Sequence, residues 1–376
     1  MKILHIMRTY GVHGGEQQLS QLFGANKNPT FKECFCFVFK DSSCEGLFSQ
    51  RAPELETRVL TQREQKTGTA WPELYQLLPR LPILQFRLWR LLRGSNFDAC
   101  IVHGFQAALV AWPLAFFMRN LPFVYVHRAT KESTRWDSVF RVLYRPFKFV
   151  AGNSDAVMQS LAKYTQSEKL LTLNNGIDLH RFDERSKQRT EGLEAEVGGM
   201  TLIAVGRLIP HKGQSLLIQS MIKLAAEYPR LSLWIVGDGV ERQNLSRLIK
   251  EARLHSRVIL LGQRSDVPSL LNSAHIFVNA SDREGMSNAV LEGMAASLPS
   301  VVADAPGVSE CHISGVTGLV VDRTPDGLVK GIRALLEDKK MAREMGRAAR
   351  TRVEEMYSIE ANRNAFYELY KRLQEN

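Results

Sequence analysis

Short, near-continuous apolar runs alternate with helically periodic stretches along almost the whole chain. "KILHIM" precedes a glycine loop and then "GEQQLSQLFGAN", which has helical character. "CFCFVF", "ACIVHG", "FVYVH" and, from Phe149, "FVAGNS" read as further strands of the first half. "TLIAVG", "LSLWIVGDG", "RVILLG", "HIFVNA" and "PSVVAD" follow in the second. Strands that are apolar on both faces and separated by helices predict parallel sheets covered on both sides. The stretch from Asp183 to Gly199 is charged and weakly apolar, so it reads as a linker, and a fresh βα series begins at Thr201. The expected fold class is therefore α/β, with two doubly wound, Rossmann-like domains facing across a cleft. A length of 376 residues agrees with two cores rather than one. In such sheets ligands collect at the carboxyl ends of the strands.

Composition alters this picture at three points. The run "ACIVHGFQAALVAWPLAFFM" holds no charge between Asp98 and Arg119, near the length of a membrane-spanning helix. Its first part is β-branched and bounded by Gly104, and Pro113 interrupts the rest, so it reads as a buried strand and a buried helix. The five cysteines form no C-x-x-C pair, which argues against a metal cage or a disulfide framework. Residues 1–170 hold 22 Lys+Arg against 13 Asp+Glu, whereas residues 171–376 hold 27 against 26. Nearly all of the +10 net charge thus lies in the first half, which points to an anionic partner there. "ILQFRLWRLLR", within residues 71–93, interleaves Leu, Phe and Trp with Arg87, Arg90 and Arg93, as a basic amphipathic helix at an anionic lipid interface does. An ordinary packing helix with solvated arginines has the same pattern.

Candidate chemistry sits in loops after predicted strands. In "GVHGGEQQL", Gly14 and Gly15 allow close backbone approach, and the following helix offers free N–H groups to an anion. In "VGRLIPHKG", Arg207 and Lys212 leave a strand end between Gly206 and Gly213, a pair of cations suited to a diphosphate. Asp238 of "VGDG" reads as the cap of the next helix. In "SDREGMSNAVLEGMAASLP", Glu284 lies in a loop at a strand end and a helix starts near Ser287 or Asn288. Free amides near Ser287–Ala289 could meet a phosphate, and Glu292, on the second turn, could accept hydrogen bonds from sugar hydroxyls.

Together, "GGEQQL", "NNGID", "VGRLIPHKG", "VGDG" and "REGMSNAVLEGMAASLPSVVADAPGVSE" followed by "TGLVV" resemble the retaining glycosyltransferases of family 4 (group 1), with the GT-B fold. The Glu284–Glu292 pair matches that family's E-x7-E signature. The resemblance is strong in the second half and looser from about residue 40 to 150. It implies an acceptor-binding domain over residues 1–178, a linker over 179–199, a nucleotide-sugar domain over 200–357, and a C-terminal helix, 358–376, that crosses back to the first domain. By position, Arg207 and Lys212 would hold the donor diphosphate, Glu284 the transferred sugar and Glu292 the nucleotide ribose. Gly15, with the amides of Met286, Ser287 and Asn288, would line the phosphate and sugar site. His127, in "FVYVHRATKES", falls where family members carry a histidine near the reacting carbon; a histidine at a strand end also serves structure alone. His103 reads as structural. Arg128 and Lys131 would meet a phosphorylated acceptor.

The resemblance further implies transfer from a nucleotide diphosphate sugar, with UDP the expected nucleotide, to a glycan or glycolipid such as lipopolysaccharide core. No D-x-D motif occurs, so no metal or other cofactor is expected. A peripheral position on the cytoplasmic face of a membrane follows from the acceptor and the basic half. Two other readings remain: a nucleotide-sugar 2-epimerase of the same fold, and a non-catalytic protein binding anionic membrane or nucleic acid. No aromatic stacking signature for nucleic acid is evident.

Overall fold

The computed structural model describes residues 1–9, 11–24, 28–64, 77–128, 137–188 and 199–375. The chain divides into two units, Met1–Gly176 with Ile359–Asn376, and Ile177–Ser358. In the first, β1 (Lys2–Met7), α1 (Gly14–Gly24), β2 (Lys32–Phe37), α2 (Ser42–Arg51) and β3 (Glu56–Val59) come first. They are followed by α3 (Leu81–Gly94), β4 (Ala99–His103), α4 (Phe105–Phe117), β5 (Phe123–His127), α5 (Asp137–Tyr144), β6 (Phe149–Gly152), α6 (Asp155–Ala162) and β7 (Leu170–Thr172). Among the described residues the strands form one parallel sheet ordered β3-β2-β1-β4-β5-β6-β7.

The two-residue period of each strand divides its side chains between two cores. Leu4, Ile6, Cys34 and Cys36 pack with α3, α4, α5 and α6 on one face. Ile3, Phe35 and Phe37 pack on the other against Phe23 of α1, Phe48 of α2 and the last helix. Caps fix where helices begin: Asp41 accepts from the Cys44 amide and Ser154 from the Val157 amide. The uncharged run from Ala99 resolves into β4 and α4, joined at Gly104 with φ +82° and with Pro113 inside the helix. No helix among the described residues is long and apolar enough to cross a membrane.

In the second unit, α7 (Leu179–Ser186) leads to β8 (Met200–Val205), α8 (Gln214–Glu227), β9 (Leu231–Val236), α9 (Arg242–Glu251), β10 (Val258–Gly262) and α10 (Val267–Ser273). Then come β11 (Ile276–Asn279), α11 (Asn288–Ala295), β12 (Ser300–Ala303), β13 (Leu319–Val321), α12 (Pro325–Glu337) and α13 (Lys339–Met356). The strands form a parallel sheet ordered β10-β9-β8-β11-β12-β13 among the described residues.

The linker read at 179–199 opens instead with α7. Its one buried side chain is Phe182, and Asp183 pairs with Arg350 of α13 at 2.8 Å. Phe182 and Leu179 seat it in the core beside that ion pair, and the charged residues around them hide so short an apolar side in the sequence. Residues 189–198 lie outside the described residues. Asp238 also departs from expectation. Its carboxylate accepts from the Gly239 amide at 2.7 Å, and the following helix has Glu241 at its N-cap without a side-chain cap.

α14 (Ile359–Gln374) belongs to the first unit and is tied to it by a buried polar chain. Arg363 donates to both oxygens of Glu33, at 3.1 and 2.6 Å, and the Tyr370 hydroxyl donates to Glu33 at 2.6 Å. His5 Nε2 lies 3.0 Å from that hydroxyl and His5 Nδ1 lies 3.0 Å from His103 Nε2. Since the hydroxyl proton goes to Glu33, His5 donates from Nε2 and accepts at Nδ1 from His103. Burial, then Arg363 and Arg128, hold the His5 pKa well below its ordinary value, so the ring stays neutral. Removing one partner from a buried charge leaves the other uncompensated. Arg363→Ala is therefore expected to cost about 3 kcal/mol and to lower the thermal midpoint by roughly 6 °C or more, read by calorimetry.

Candidate functional site

The site residues of the second unit gather at the carboxyl ends of β8 and β11, which are neighbouring parallel strands. After β8 the chain turns through a short 3₁₀ segment, Pro210–Lys212, to Gly213. Gly213 has φ +68°, and a Cβ there would lie 2.1 Å from the Ala280 carbonyl oxygen just past β11. Only glycine permits that approach. It brings the two loops into contact: the Asp282 amide donates to the His211 carbonyl at 2.8 Å.

Lys212 and Glu284 form an ion pair across these loops. Their side chains are 15% and 14% exposed, and Ser281 Oγ donates to the same Glu284 oxygen at 3.1 Å. Lys212, expected on sequence grounds to hold a diphosphate, is thus already paired with a carboxylate expected to hold the sugar. Arg207, by contrast, is exposed, and its guanidinium has no ion-pair partner among the described residues. The backbone carbonyl of Arg207 accepts from Gln214 Nε2 at 2.9 Å, which steadies the turn. Gly206 closes β8, its amide donating to the Val236 carbonyl at 2.9 Å.

Glu284 is fixed from its backbone as well, its amide donating to the Pro306 carbonyl at 2.9 Å. Gly307, with φ +69°, packs where a Cβ would lie 2.2 Å from the Glu284 carbonyl oxygen. This contact corrects one expectation about the helix start. Ser287 is the N-cap of α11, yet its amide donates to the Gly307 carbonyl at 3.2 Å and is not free for a phosphate. The amides of Ala289 and Val290 have no acceptor among the described residues and are the ones that α11 presents. Met286 and Ser287 are buried, and Asn288 opens the helix.

Glu292 lies one turn further along α11 and is half-buried. Burial pushes its carboxyl pKa up to about 7, with Arg185 of α7 pulling the other way. Sequence reasoning missed Arg185, which it assigned to a linker, as well as Ser281 and Glu310. Glu310 Oε1 accepts from the Gly307 amide at 3.0 Å and so holds the loop behind Glu284. Their hydroxyl and carboxylate character was visible in the sequence, but their direction was not.

Gly14, Gly15 and His127 belong to the first unit. Gly14 starts α1, and Glu16 in its first turn is buried, accepts from the His13 amide at 3.2 Å and has its pKa raised by that burial. Nearby, Asp41 goes the other way. Burial opposes its charge, but hydrogen bonds from Ser43, the Cys44 amide and the Gly11 amide prevail and hold its pKa at about 2. His127 ends β5, is buried, and its Nδ1 lies 2.8 Å from the Tyr125 hydroxyl. His103 is bonded to His5 as described. Arg128 donates to Asn175 Oδ1 at 2.9 Å, and desolvation, against the pull of Glu16, lowers its pKa to about 10. Lys131 lies outside the described residues.

Two parallel, doubly wound units with this site at a strand switch are the architecture of a nucleotide-binding α/β protein. The chain matches the family described as "Glycosyltransferase Family 4" over residues 47–181 and "Glycosyl transferases group 1" over residues 187–352. It belongs to the family 4 (group 1) glycosyltransferases and has the GT-B fold. The crystal structure of Anabaena Alr3699/HepE in complex with UDP and glucose superposes with a TM-score of 0.81 at 21% identity, over 99% of each chain. The N-acetylgalactosamine-N,N'-diacetylbacillosaminyl-diphospho-undecaprenol 4-alpha-N-acetylgalactosaminyltransferase of Campylobacter jejuni is 28% identical, covering 57% of this chain and 56% of that one. The lipopolysaccharide core biosynthesis glycosyltransferase LpsE of Rhizobium meliloti is 27% identical, covering 47% and 51%. The chain thus spans about half the length of these curated relatives.

The raised Glu292 pKa has a thermodynamic consequence that needs no ligand. Below the ordinary value of 4.5 the carboxyl is neutral in folded and unfolded chains alike. Between 4.5 and about 7 only the unfolded chain ionises, so stability falls as pH rises and levels off above that. Glu292→Gln removes this slope. Relative to the parent, the variant is expected to gain about 1–3 kcal/mol at pH 8 and nothing at pH 4, by denaturant unfolding.

Proposed function

We propose that the protein transfers a sugar from a nucleotide diphosphate donor, a UDP-sugar by preference, to a membrane-associated glycan or glycolipid such as lipopolysaccharide core. The transfer retains anomeric configuration and uses no metal. The observation that carries this reading is the convergence of Arg207, Lys212 and Glu284 with the start of α11 at the ends of two adjacent strands. The names of the relatives support the acceptor class, because one acts on a diphospho-undecaprenol-linked sugar and another in lipopolysaccharide core synthesis. The UDP and glucose bound by a protein of the same fold support the donor class.

The chemistry follows from charge. As the bond from the anomeric carbon to the phosphate oxygen breaks, its electron pair goes to the leaving diphosphate. Arg207 meets two of the diphosphate oxygens through its planar fork, Lys212 adds a point charge, and the Ala289 and Val290 amides complete a preorganised positive end. Glu284 accepts from hydroxyls of the transferred sugar while Ser281 keeps it oriented, and Glu292 accepts from the ribose. The acceptor hydroxyl enters on the face that the diphosphate leaves, its proton passing to the departing phosphate oxygen, which retains configuration. Within the first unit, His127 is the candidate to hydrogen-bond a sugar hydroxyl, and Gly14 and Gly15 open a helix whose amides suit an anion. The basic first half meets the anionic surface that carries the acceptor, which makes the protein peripheral to the cytoplasmic face of a membrane.

Arg207→Ala, Lys212→Ala and Glu284→Ala are each expected to lower turnover about 100-fold or more while the thermal midpoint stays within a few degrees of the parent. Turnover at the parental rate in any two of them removes the assignment. UDP release that needs no added acceptor indicates the epimerase reading instead. Failure of every nucleotide sugar to stabilise the fold favours a non-catalytic binder.

A further inference from the structure

The outward side of three helices in the first unit is unlike the rest of its surface. On α3, Leu84, Leu88 and Leu92 are buried at helical spacing against the sheet. On the opposite side Ile83, Phe86 and Trp89 are 52%, 57% and 40% exposed. The neighbouring α4 ends in Phe116 and Phe117, 43% and 79% exposed, and α5 adds exposed Val139 and Val142. The helices are joined edge to edge. Gln85 Nε2 donates to the Leu109 carbonyl at 3.2 Å, and the Trp112 indole donates to the Val142 carbonyl at 3.1 Å. Ring contacts run along the surface, Phe86 to Trp89 at 5.7 Å and Trp112 to Phe116 at 6.2 Å. Three neighbouring helices that each leave large apolar groups exposed mark an interaction surface.

Charge identifies the partner. Residues 77–128 contain six arginines and a single acidic residue, Asp98, which is engaged by the Lys2 amide at 2.6 Å. Arg90, Arg93, Arg119, Arg141 and Arg145 are exposed and have no ion-pair partner among the described residues. Arg93 lies over the Trp89 ring at 5.6 Å, so cation and aromatic share one side of the helix. A second copy of the chain would set these arginines against their own equivalents across a two-fold axis. A lipid surface meets both needs at once, because rings enter the boundary between headgroups and acyl chains while guanidinium groups contact phosphates. We propose that this three-helix face docks the protein on an anionic lipid bilayer, with Phe86, Trp89, Phe116 and Phe117 inserted and Arg90 and Arg93 against lipid phosphates. The assignment deepens the membrane-acceptor reading and takes its purpose from it, but the docking itself requires neither donor nor acceptor.

The test is co-sedimentation of the full chain with phosphatidylcholine vesicles and with vesicles in which about one third of the lipid is phosphatidylglycerol. Affinity for the anionic vesicles is expected to be about tenfold higher or more, and to fall with added salt. Arg90→Glu with Arg93→Glu, and separately Phe116→Ser with Phe117→Ser, should each weaken binding about tenfold or more. Arg343→Glu with Arg347→Glu, exposed in the second unit, makes the same charge change and should alter it by less than about twofold. Equal binding to both vesicles, an equal loss in that control, or no vesicle binding overturns the proposal, as does light scattering that shows a dimer abolished by Phe86→Ser with Trp89→Ser. Stabilisation by UDP, measured on the same samples, reports the donor reading separately: vesicle binding without it leaves docking intact and removes the UDP-donor assignment.

Discussion

An ammonium and a carboxylate that have both given up most of their hydration, Lys212 and Glu284, hold the second unit's site together. Each needs the other, because an unpaired charge at that degree of burial is costly. The pair fixes the loop after β8 against the loop after β11, and Ser281 fixes the carboxylate from a third direction. Since β8 and β11 are parallel neighbours, both loops leave the sheet at the same end, and Gly213 and Gly307 let the backbones close to contact. On the proposed reading, an anion arriving there would compete for an ammonium that is already oriented. Arg207 is exposed and has no ion-pair partner among the described residues.

The first unit places its charges differently. Its buried chain runs from Arg363 through Glu33, Tyr370 and His5 to His103, and every proton direction follows from Glu33 as final acceptor. That chain binds α14 to the sheet. The opposite face of the same sheet, under α3, α4 and α5, is built from aliphatic and aromatic side chains, Phe123, Tyr125, Tyr144 and Phe147 among them, and exposed arginines lie outside it. One face of the sheet thus holds the chain's end in place, and the other leaves aromatic and cationic groups to the surroundings.

Burial acts on the carboxylates of the two units according to their partners. Glu292 and Glu16 are pushed toward the neutral form, whereas Asp41, also opposed by burial, receives enough donors to stay ionised. Hydrogen bonds to the charged form decide the outcome, and a pairing partner that approaches Glu292 only from bound ligand would leave it responsive to occupancy.

The alternation of apolar strands with helices determined the α/β class, the two sheets and the division of the uncharged run at Gly104, because a strand buried on both faces has a composition that few other elements share. Arg207, Lys212, Glu284 and Glu292 were also legible as candidates, because the order and spacing of the motifs that carry them resemble those of the family. What only the tertiary structure decided depends on direction. Sequence could not show that Lys212 turns to Glu284, that the Ser287 amide is spent on Gly307, that Asp238 caps no helix, or that a supposed linker begins with a helix held by Arg350. Nor could it show that the helix within "ILQFRLWRLLR" is bonded to a neighbouring helix that also leaves Phe116 and Phe117 exposed. Periodicity records which residues share a face of one element; which elements meet, and so which charges cancel, is set by loop geometry and by partners distant in sequence.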